Sequence, residues 1–158
     1  MKVTVFMGSK SNAASLKPAV DCLSEFGISY EAHILSAHRV PEVLVETLKE
    51  SEAGGTECII AGAGLAAHLP GVIAAHTILP VIGVPMGDAL GGLDSLYSIV
   101  QMPKPIPVAT VGIGNAYNAG MLAVEILALK YPQVRQKLLQ YRQDMKKNYL
   151  EQNQGDPF

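Results

Sequence analysis

The chain has 158 residues, of which 49% are hydrophobic and only 16% are charged, with 12 Lys and Arg against 14 Asp and Glu. This length fits a single domain with a substantial core, and the composition is the opposite of that of disordered chains. A net charge of −2 argues against a general nucleic-acid binder, and no run of about 18 apolar residues indicates a membrane helix. Because ordinary domains carry about 25% charged residues, we expect this chain to bury much of its surface against copies of itself.

The first half of the chain alternates short apolar strands with amphipathic helices. The helices are predicted to begin at Asn12, which can cap the first one, at Pro41, and near Pro70. Apolar residues at helical spacing give the first two helices a buried face: Leu16, Val20, Leu23 and Phe26, then Val43, Leu44, Thr47 and Leu48. The strands are predicted at Val3–Met7, Ile28–Leu35 and Cys58–Ala61.

The second half continues the same alternation. Strands are predicted at Val81–Val84 and Pro107–Val111, and helices at Leu93–Gln101, Asn115–Leu129 and Gln133 to about Leu150. Five short apolar strands alternating with helices predict a three-layer α/β/α fold, a flavodoxin-like parallel five-stranded sheet with an extra C-terminal helix. We expect one domain over residues 1–158, with its core at about 1–130, the last helix at about 132–150 and a tail at 151–158.

The two cysteines, Cys22 and Cys58, fall in a predicted helix and a predicted strand without metal-ligand spacing. We expect both to be free buried thiols, which suits a reducing cytosol. The apolar run that ends at Met7 is too short for a signal peptide. The histidines also lack metal-ligand spacing, since His33 and His38 are five residues apart. We therefore expect a cytoplasmic protein without a metal site.

The loop after the first strand, Gly8 to Asn12, has the composition of an anion site. Backbone N–H groups at a helix N-terminus, together with the hydroxyls of Ser9 and Ser11, can bind a phosphate. The loop lacks the Walker spacing, so a nucleoside triphosphate is not indicated. The alternative is a Ser/Asn-rich turn that merely caps the helix.

The loop after the second strand, Ser36-Ala37-His38-Arg39, places a histidine, which can transfer protons, next to an arginine, which is a cation. Histidine titrates near neutral pH, and arginine can clamp a phosphate or a carboxylate. A lone histidine at a strand end is more often structural. In a parallel sheet, however, ligands bind at the carboxyl ends of the strands, which places His38 and Arg39 beside the candidate phosphate loop.

The loop after the third strand, Ala61 to Gly71, is built of small residues. Glycine and alanine allow a flat ligand to approach the backbone closely. The spacing of Gly62, Gly64 and Ala67 matches a loose dinucleotide fingerprint. The motif follows the third strand, however, and the next acidic residue, Asp88, lies too far along the chain for the ribose contact, so we discount it. His68 is either a second polar group of the site or a packing residue at a helix start. No serine lies in a nucleophile elbow, which argues against serine hydrolysis.

Together these motifs resemble the N5-carboxyaminoimidazole ribonucleotide mutases of purine biosynthesis, of the bacterial type (class I). The likeness covers about residues 3–130, in order and at family spacing. The motifs are MGSKSN at Met7–Asn12, SAHRVP at Ser36–Pro41, AGAGLAAHLPG at Ala61–Gly71, PVIGVP at Pro80–Pro85, GLDSLYSIVQMP at Gly92–Pro103 and PVATVGIGNAYNAG at Pro107–Gly120. The AAHLPG stretch favours this type over the animal-type carboxylase, which takes up CO2 directly.

The resemblance implies an isomerase that moves a carboxylate from the exocyclic nitrogen of an aminoimidazole ribonucleotide to ring carbon C4. It also implies a homo-octamer that uses no cofactor, with no nucleic-acid or membrane partner. His38 would be the general acid–base, with His68 beside it. The residues implied to bind the substrate are Gly8, Ser9, Ser11, Asn12, Ser36, Ala37, Arg39, Gly62, Ala63, Gly64, His68 and Leu69, of which Ser9, Ser11 and Arg39 would hold the 5′-phosphate and Asn12 would face the ribose.

Four departures from the family pattern keep alternatives open. Asn12 stands where the family has Asp, and Val40 where Thr is usual. The Met86–Gly91 loop and the Gly114–Asn118 stretch are shorter than in some members. Because an amide lacks the charge of a carboxylate, a paralogue with a related phosphoribosyl ligand and a non-catalytic ligand sensor remain alternatives. Direct CO2-dependent carboxylation of aminoimidazole ribonucleotide is a separate alternative.

Overall fold

In the computed structural model, which describes residues 1–87 and 89–152, five parallel strands form one sheet in the order β2-β1-β3-β4-β5. Reversal of the strand order between β1 and β3 makes this a flavodoxin-like sheet, as predicted. Most of the predicted tail, from residue 153 on, lies outside the described residues. The strands are β1 Lys2–Met7, β2 Ser29–Ile34, β3 Thr56–Ala63, β4 Val81–Pro85 and β5 Ala109–Thr110.

Helices cover both faces of the sheet and confirm the α/β fold class. Short 3-10 turns at Lys10–Asn12 and Ala89–Gly92 precede the first and fourth of them. Each helix begins within a few residues of the start that its apolar spacing predicted. The helices are α1 Ala13–Glu25, α2 Pro41–Ala53, α3 Leu69–Ala74, α4 Leu93–Val100, α5 Ala116–Ala128 and α6 Pro132–Gln152.

The side chains of β1 point alternately to the two faces of the sheet and contribute to two separate apolar cores. Val3, Val5 and Met7 face α1 and α5, whereas Phe6 faces the core that α2, α3 and α4 complete. Successive side chains of a strand point to opposite faces, so one strand supplies both cores. In α2, Leu44 is buried as expected, but Val43, predicted on the same apolar face, is exposed.

The α1–α5 contact is close because small side chains meet there. Ala19 and Cys22 of α1 face Gly120 of α5, and both α1 residues are fully buried. A Cβ atom added to Gly120 would come within 2.8 Å of the Ala19 carbonyl oxygen and of Cys22 Cβ. Helices approach this closely only where one of them lacks side-chain volume, so Gly120 sets the spacing of α1 and α5.

A polar cluster crosses β1, β2 and β3 beneath α2. The Thr4 hydroxyl donates to Glu31 Oε1 at 3.0 Å and lies 2.6 Å from the Thr56 hydroxyl, while Lys2 Nζ lies 2.8 Å from Glu31 Oε2. Burial by itself raises the pKa of Glu31, but hydrogen bonds from Lys2, Ser51 and Thr4 outweigh it and lower that pKa to about 2. Glu31 is therefore ionised at neutral pH and satisfies the buried hydroxyl of Thr4.

Both cysteines are buried and free, as predicted. Burial raises the pKa of the Cys22 thiol to about 11 and that of Cys58 to about 12. Both side chains are therefore neutral packing groups. Within residues 1–87 and 89–152, no helix is both long enough and apolar enough to cross a membrane.

Candidate functional site

A cavity of about 400 Å³ opens where the carboxyl ends of β1, β2 and β3 meet, beside the reversal of strand order. All three loops that the sequence singled out contribute to its wall. This is the position at which open parallel sheets bind ligands. The lining residues are Gly8, Ser9, Ser11, Asn12, Ser36, Ala37, His38, Arg39, Ala63, Gly64, Leu65, Ala66, Ala67, His68 and Leu69.

Every residue implied as substrate-binding lines this cavity except Gly62. That residue is buried within β3, where an added Cβ would collide with the Met86 side chain and come within 2.8 Å of Leu16 Cδ1. Gly62 therefore packs beneath the site, where there is no room for a side chain. Leu65, Ala66 and Ala67 line the cavity but were not among the predicted site residues, although they belong to the same small-residue loop.

The loop after β1 is folded by its own hydroxyls. Ser9 Oγ accepts a hydrogen bond from the Ser11 amide at 3.1 Å and lies 2.6 Å from Ser11 Oγ. Ser9 therefore caps the 3-10 turn at Lys10–Asn12. The prediction that Asn12 caps α1 with its side chain is wrong, because that side chain makes no capping hydrogen bond. Asn12 is only 8% exposed and lines the cavity, so its amide can face a ligand.

Two histidines from different loops meet at the cavity. His38 Nε2 lies 2.5 Å from His68 Nδ1, and the two rings are nearly perpendicular, at 86°. One of these nitrogens donates and the other accepts, so the pair shares one hydrogen. His38 follows β2 and His68 precedes α3, and only the parallel pairing of β2, β1 and β3 brings them together.

The charge of the cavity wall favours an anion. Arg39 is exposed at the cavity and makes no ion pair or side-chain hydrogen bond within the described part of the chain. None of the described lining residues is acidic. Lys10, the cation of the first loop, is exposed and does not line the cavity. Arg39 is therefore the cation available to a phosphate or carboxylate.

The loop after β3 has an unusual backbone conformation. The Ala67 amide donates to the Gly64 carbonyl at 3.1 Å, which closes a turn over Gly64 to Ala67. Leu65 (φ 54°) and Ala67 (φ 24°) both have positive φ in this turn, a conformation that favours glycine. The small residues of this segment predict a permissive backbone, but the two positions with positive φ are leucine and alanine, not glycine.

The remaining histidines lie away from the cavity. His33 stacks on Phe6 with ring centroids 5.4 Å apart, and His76 Nδ1 lies 2.8 Å from the Val72 carbonyl oxygen. Among the residues that the structure describes, no group of three or more His, Cys, Asp or Glu side chains could hold a metal ion.

A model of the AIR carboxylase family matches residues 2–148 of the chain. The N5-carboxyaminoimidazole ribonucleotide mutase of Pyrococcus abyssi is 57% identical over 92% of this chain and 84% of that protein. The mutase of the same name from Thermotoga maritima is 54% identical over 97% of this chain and 90% of that protein. The crystal structure of Treponema denticola PurE matches with a TM-score of 0.88 and 30% identity, covering 95% of this chain and 94% of that chain. The likeness therefore extends over nearly the whole chain.

Proposed function

The chain belongs to the AIR carboxylase family, and from this premise we propose that it converts N5-carboxyaminoimidazole ribonucleotide to 4-carboxyaminoimidazole ribonucleotide. This makes it an isomerase of purine biosynthesis, like the curated mutases to which it is similar. The observation that carries the proposal is the single cavity that gathers His38, Arg39 and the Ser9–Ser11 turn at the strand-order reversal. That wall combines a proton-transfer group, His38, with an anion site.

The 5′-phosphate binds at the Ser9–Ser11 turn and Arg39. The two hydroxyls lie 2.6 Å apart and can both turn towards a phosphate, and no described residue of the cavity wall offers the guanidinium of Arg39 a competing carboxylate. Charged hydrogen bonds of this kind are stronger than neutral ones. Asn12, buried at the same turn, faces the ribose hydroxyls, and Gly8 lies beside it.

The base and its carboxylate bind between the other two loops. Ser36, Ala37, Ala63, Gly64 and Leu69 surround this part of the cavity. Small side chains allow the substrate to lie close against the backbone, so the bound substrate displaces water from this part of the cavity. Exclusion of water favours release of a carboxylate as CO2, since the developing neutral molecule needs no hydration.

His38 performs both proton transfers of the reaction. The N–C bond of the carbamate breaks, its electron pair stays on nitrogen, and a proton from His38 completes the amine. The enamine carbon C4 then attacks the CO2 held beside it, and the proton of the tetrahedral C4 returns to His38. Because CO2 is already held beside C4, the second step needs no cofactor to bring the reactants together. An imidazole can both give and take a proton near neutral pH.

The choice of substrate separates this reaction from direct carboxylation. We expect the purified protein to convert the carbamate rapidly and to act far more slowly on aminoimidazole ribonucleotide supplied with bicarbonate. The measurement is the ultraviolet absorbance of the C4-carboxylated product with each substrate. Equal or faster use of aminoimidazole ribonucleotide with bicarbonate would identify a carboxylase, and binding without turnover would identify a sensor.

Asn12→Asp tests whether the amide weakens ribose binding. We expect the variant to lower KM by about tenfold, because a charged hydrogen bond replaces a neutral one. The kcat should change little, since Asn12 does not touch the reacting atoms in this proposal. Steady-state kinetics with the carbamate measure both constants. An increase in KM would indicate that the site is shaped for the amide, and hence for a different ligand.

We propose that the protein is cytoplasmic and assembles as an octamer. The low charge content supports assembly, and α4 adds an exposed apolar stripe of Leu93, Tyr97 and Val100 at helical spacing. Such a stripe is costly to leave in water. Multi-angle light scattering should give the mass of eight chains, and a mass of one chain would contradict the proposal.

A further inference from the structure

Leu65 combines three features that do not otherwise occur together in the described cavity wall. Its φ is 54°, its side chain is 56% exposed, and it lines the cavity. The other large apolar side chain there, Leu69, is only 3% exposed and belongs to the inner wall. Leu65 therefore stands at the boundary between the cavity and solvent.

Leu65 has a left-handed backbone conformation that is unusual for leucine. It is the second residue of the turn that the Ala67 amide closes onto the Gly64 carbonyl. Turns with positive φ at this position usually carry Gly, Asn or Asp there. Leucine is disfavoured in the left-handed region, and an exposed side chain gains little packing in return. A strained residue of this kind indicates a functional constraint at the site where it occurs.

The proposed mutase reaction sets such a constraint, because CO2 must stay in the cavity until C4 captures it. Once the N–C bond of the carbamate has broken and the nitrogen has taken its proton, CO2 is a small neutral molecule without a strong bond to the wall. If it diffuses out, aminoimidazole ribonucleotide is left behind. If it stays, C4 attacks it and returns its proton to His38. The yield therefore depends on how well the mouth of the cavity is closed.

We propose that Leu65 closes the cavity mouth and retains CO2 between its release from nitrogen and its capture by C4. This inference rests on the proposed mutase reaction. Leu65 contributes no proton or charge; it covers the opening that the small residues Gly64 and Ala66 leave beside it. The left-handed backbone places the bulky Leu65 side chain at the mouth, between the small neighbours Gly64 and Ala66.

The test follows the fate of the carboxylate in Leu65→Ala and Leu65→Gly. The carbamate is labelled with ¹³C in its carboxylate and turned over in unlabelled bicarbonate buffer. We expect product that has lost the label, and free aminoimidazole ribonucleotide, to increase about tenfold over wild type, the effect typical of a missing apolar contact in a pocket. Leu65→Met, which restores the bulk, should return label retention towards the wild-type value.

Leu90 offers a matched control. It is a second exposed leucine with positive φ, 48°, and it does not line the cavity. Leu90→Gly and Leu65→Gly should each raise Tm by relieving the same strain, but only the Leu65 variant should lose label. Equal label retention in Leu65→Ala and wild type overturns the inference while the mutase function stands. A wild-type protein that forms no C4-carboxylated product overturns both.

Discussion

Replacing His38 with asparagine lowers kcat for the carbamate by about 10²–10⁴-fold, the range that general acid–base catalysis contributes. Asparagine can still donate a hydrogen bond, but it cannot take the proton from C4 or give one to nitrogen. His38 is exposed at the cavity, so the variant should keep its fold. The measurements are single-turnover kinetics, Tm and binding of the C4-carboxylated product, of which only the kinetics should change strongly.

His76→Asn is the control for this substitution. His76 is also exposed and is held by the Val72 carbonyl on α3, outside the cavity. Its replacement should leave both kcat and KM within twofold of wild type, a margin of about 0.4 kcal/mol. Substantial activity in His38→Asn, with product binding intact, would show that another group transfers the proton, and His68, 2.5 Å away, would be the next candidate.

Gly120→Leu lowers the free energy of unfolding by about 3 kcal/mol, towards the upper end of the range for overpacked cores. The cause is the α1–α5 contact, where even a Cβ would lie 2.8 Å from the Ala19 carbonyl oxygen. That atom belongs to the backbone of α1 and cannot rotate away. Leucine is the better helix former by about 1 kcal/mol, so the clash must exceed this gain. Urea unfolding monitored by circular dichroism gives the difference.

Asn118→Leu controls for helix propensity on the same helix. Asn118 is exposed in α5, so its replacement adds the same side chain without entering the α1–α5 contact. Its unfolding free energy should stay within about 0.5 kcal/mol of wild type. If Gly120→Leu were as stable as this control, the two helices would have room to separate, and Gly120 would not set their spacing.

The sequence predicted the strands and helices well where local signals agreed. Pro41 and the apolar spacing of α5 placed element boundaries within a few residues. The strand that falls furthest short of its predicted length is β5, predicted at Pro107–Val111 and observed only at Ala109–Thr110. It pairs with β4 alone, and Pro107 has no amide to donate to a neighbouring strand. An edge strand with one partner is shorter than its apolar pattern suggests.

The candidate site was predicted as three loops, because each loop has an unusual local composition. The detailed contacts of these loops were not predictable. The side-chain cap is Ser9 and not Asn12, because both are short polar residues and the sequence does not say which one reaches a free amide. Gly62 packs beneath the cavity, because the side chains of Met86 and Leu16 from other elements lie against it. The positive φ of Leu65 has no sequence signal at all, because leucine is among the least expected residues in that conformation.

The shortage of charge, the alternation of strands and helices and the three loop motifs are properties of the chain itself. They determined the fold class, the edge of the sheet that carries the site, and the resemblance that the comparisons confirmed. The tertiary structure decided which groups meet. The His38–His68 contact spans 30 residues and exists because parallel pairing sets the strand ends side by side. Local patterns encode periodicity and turns, whereas distances between loops are set by packing of the whole sheet.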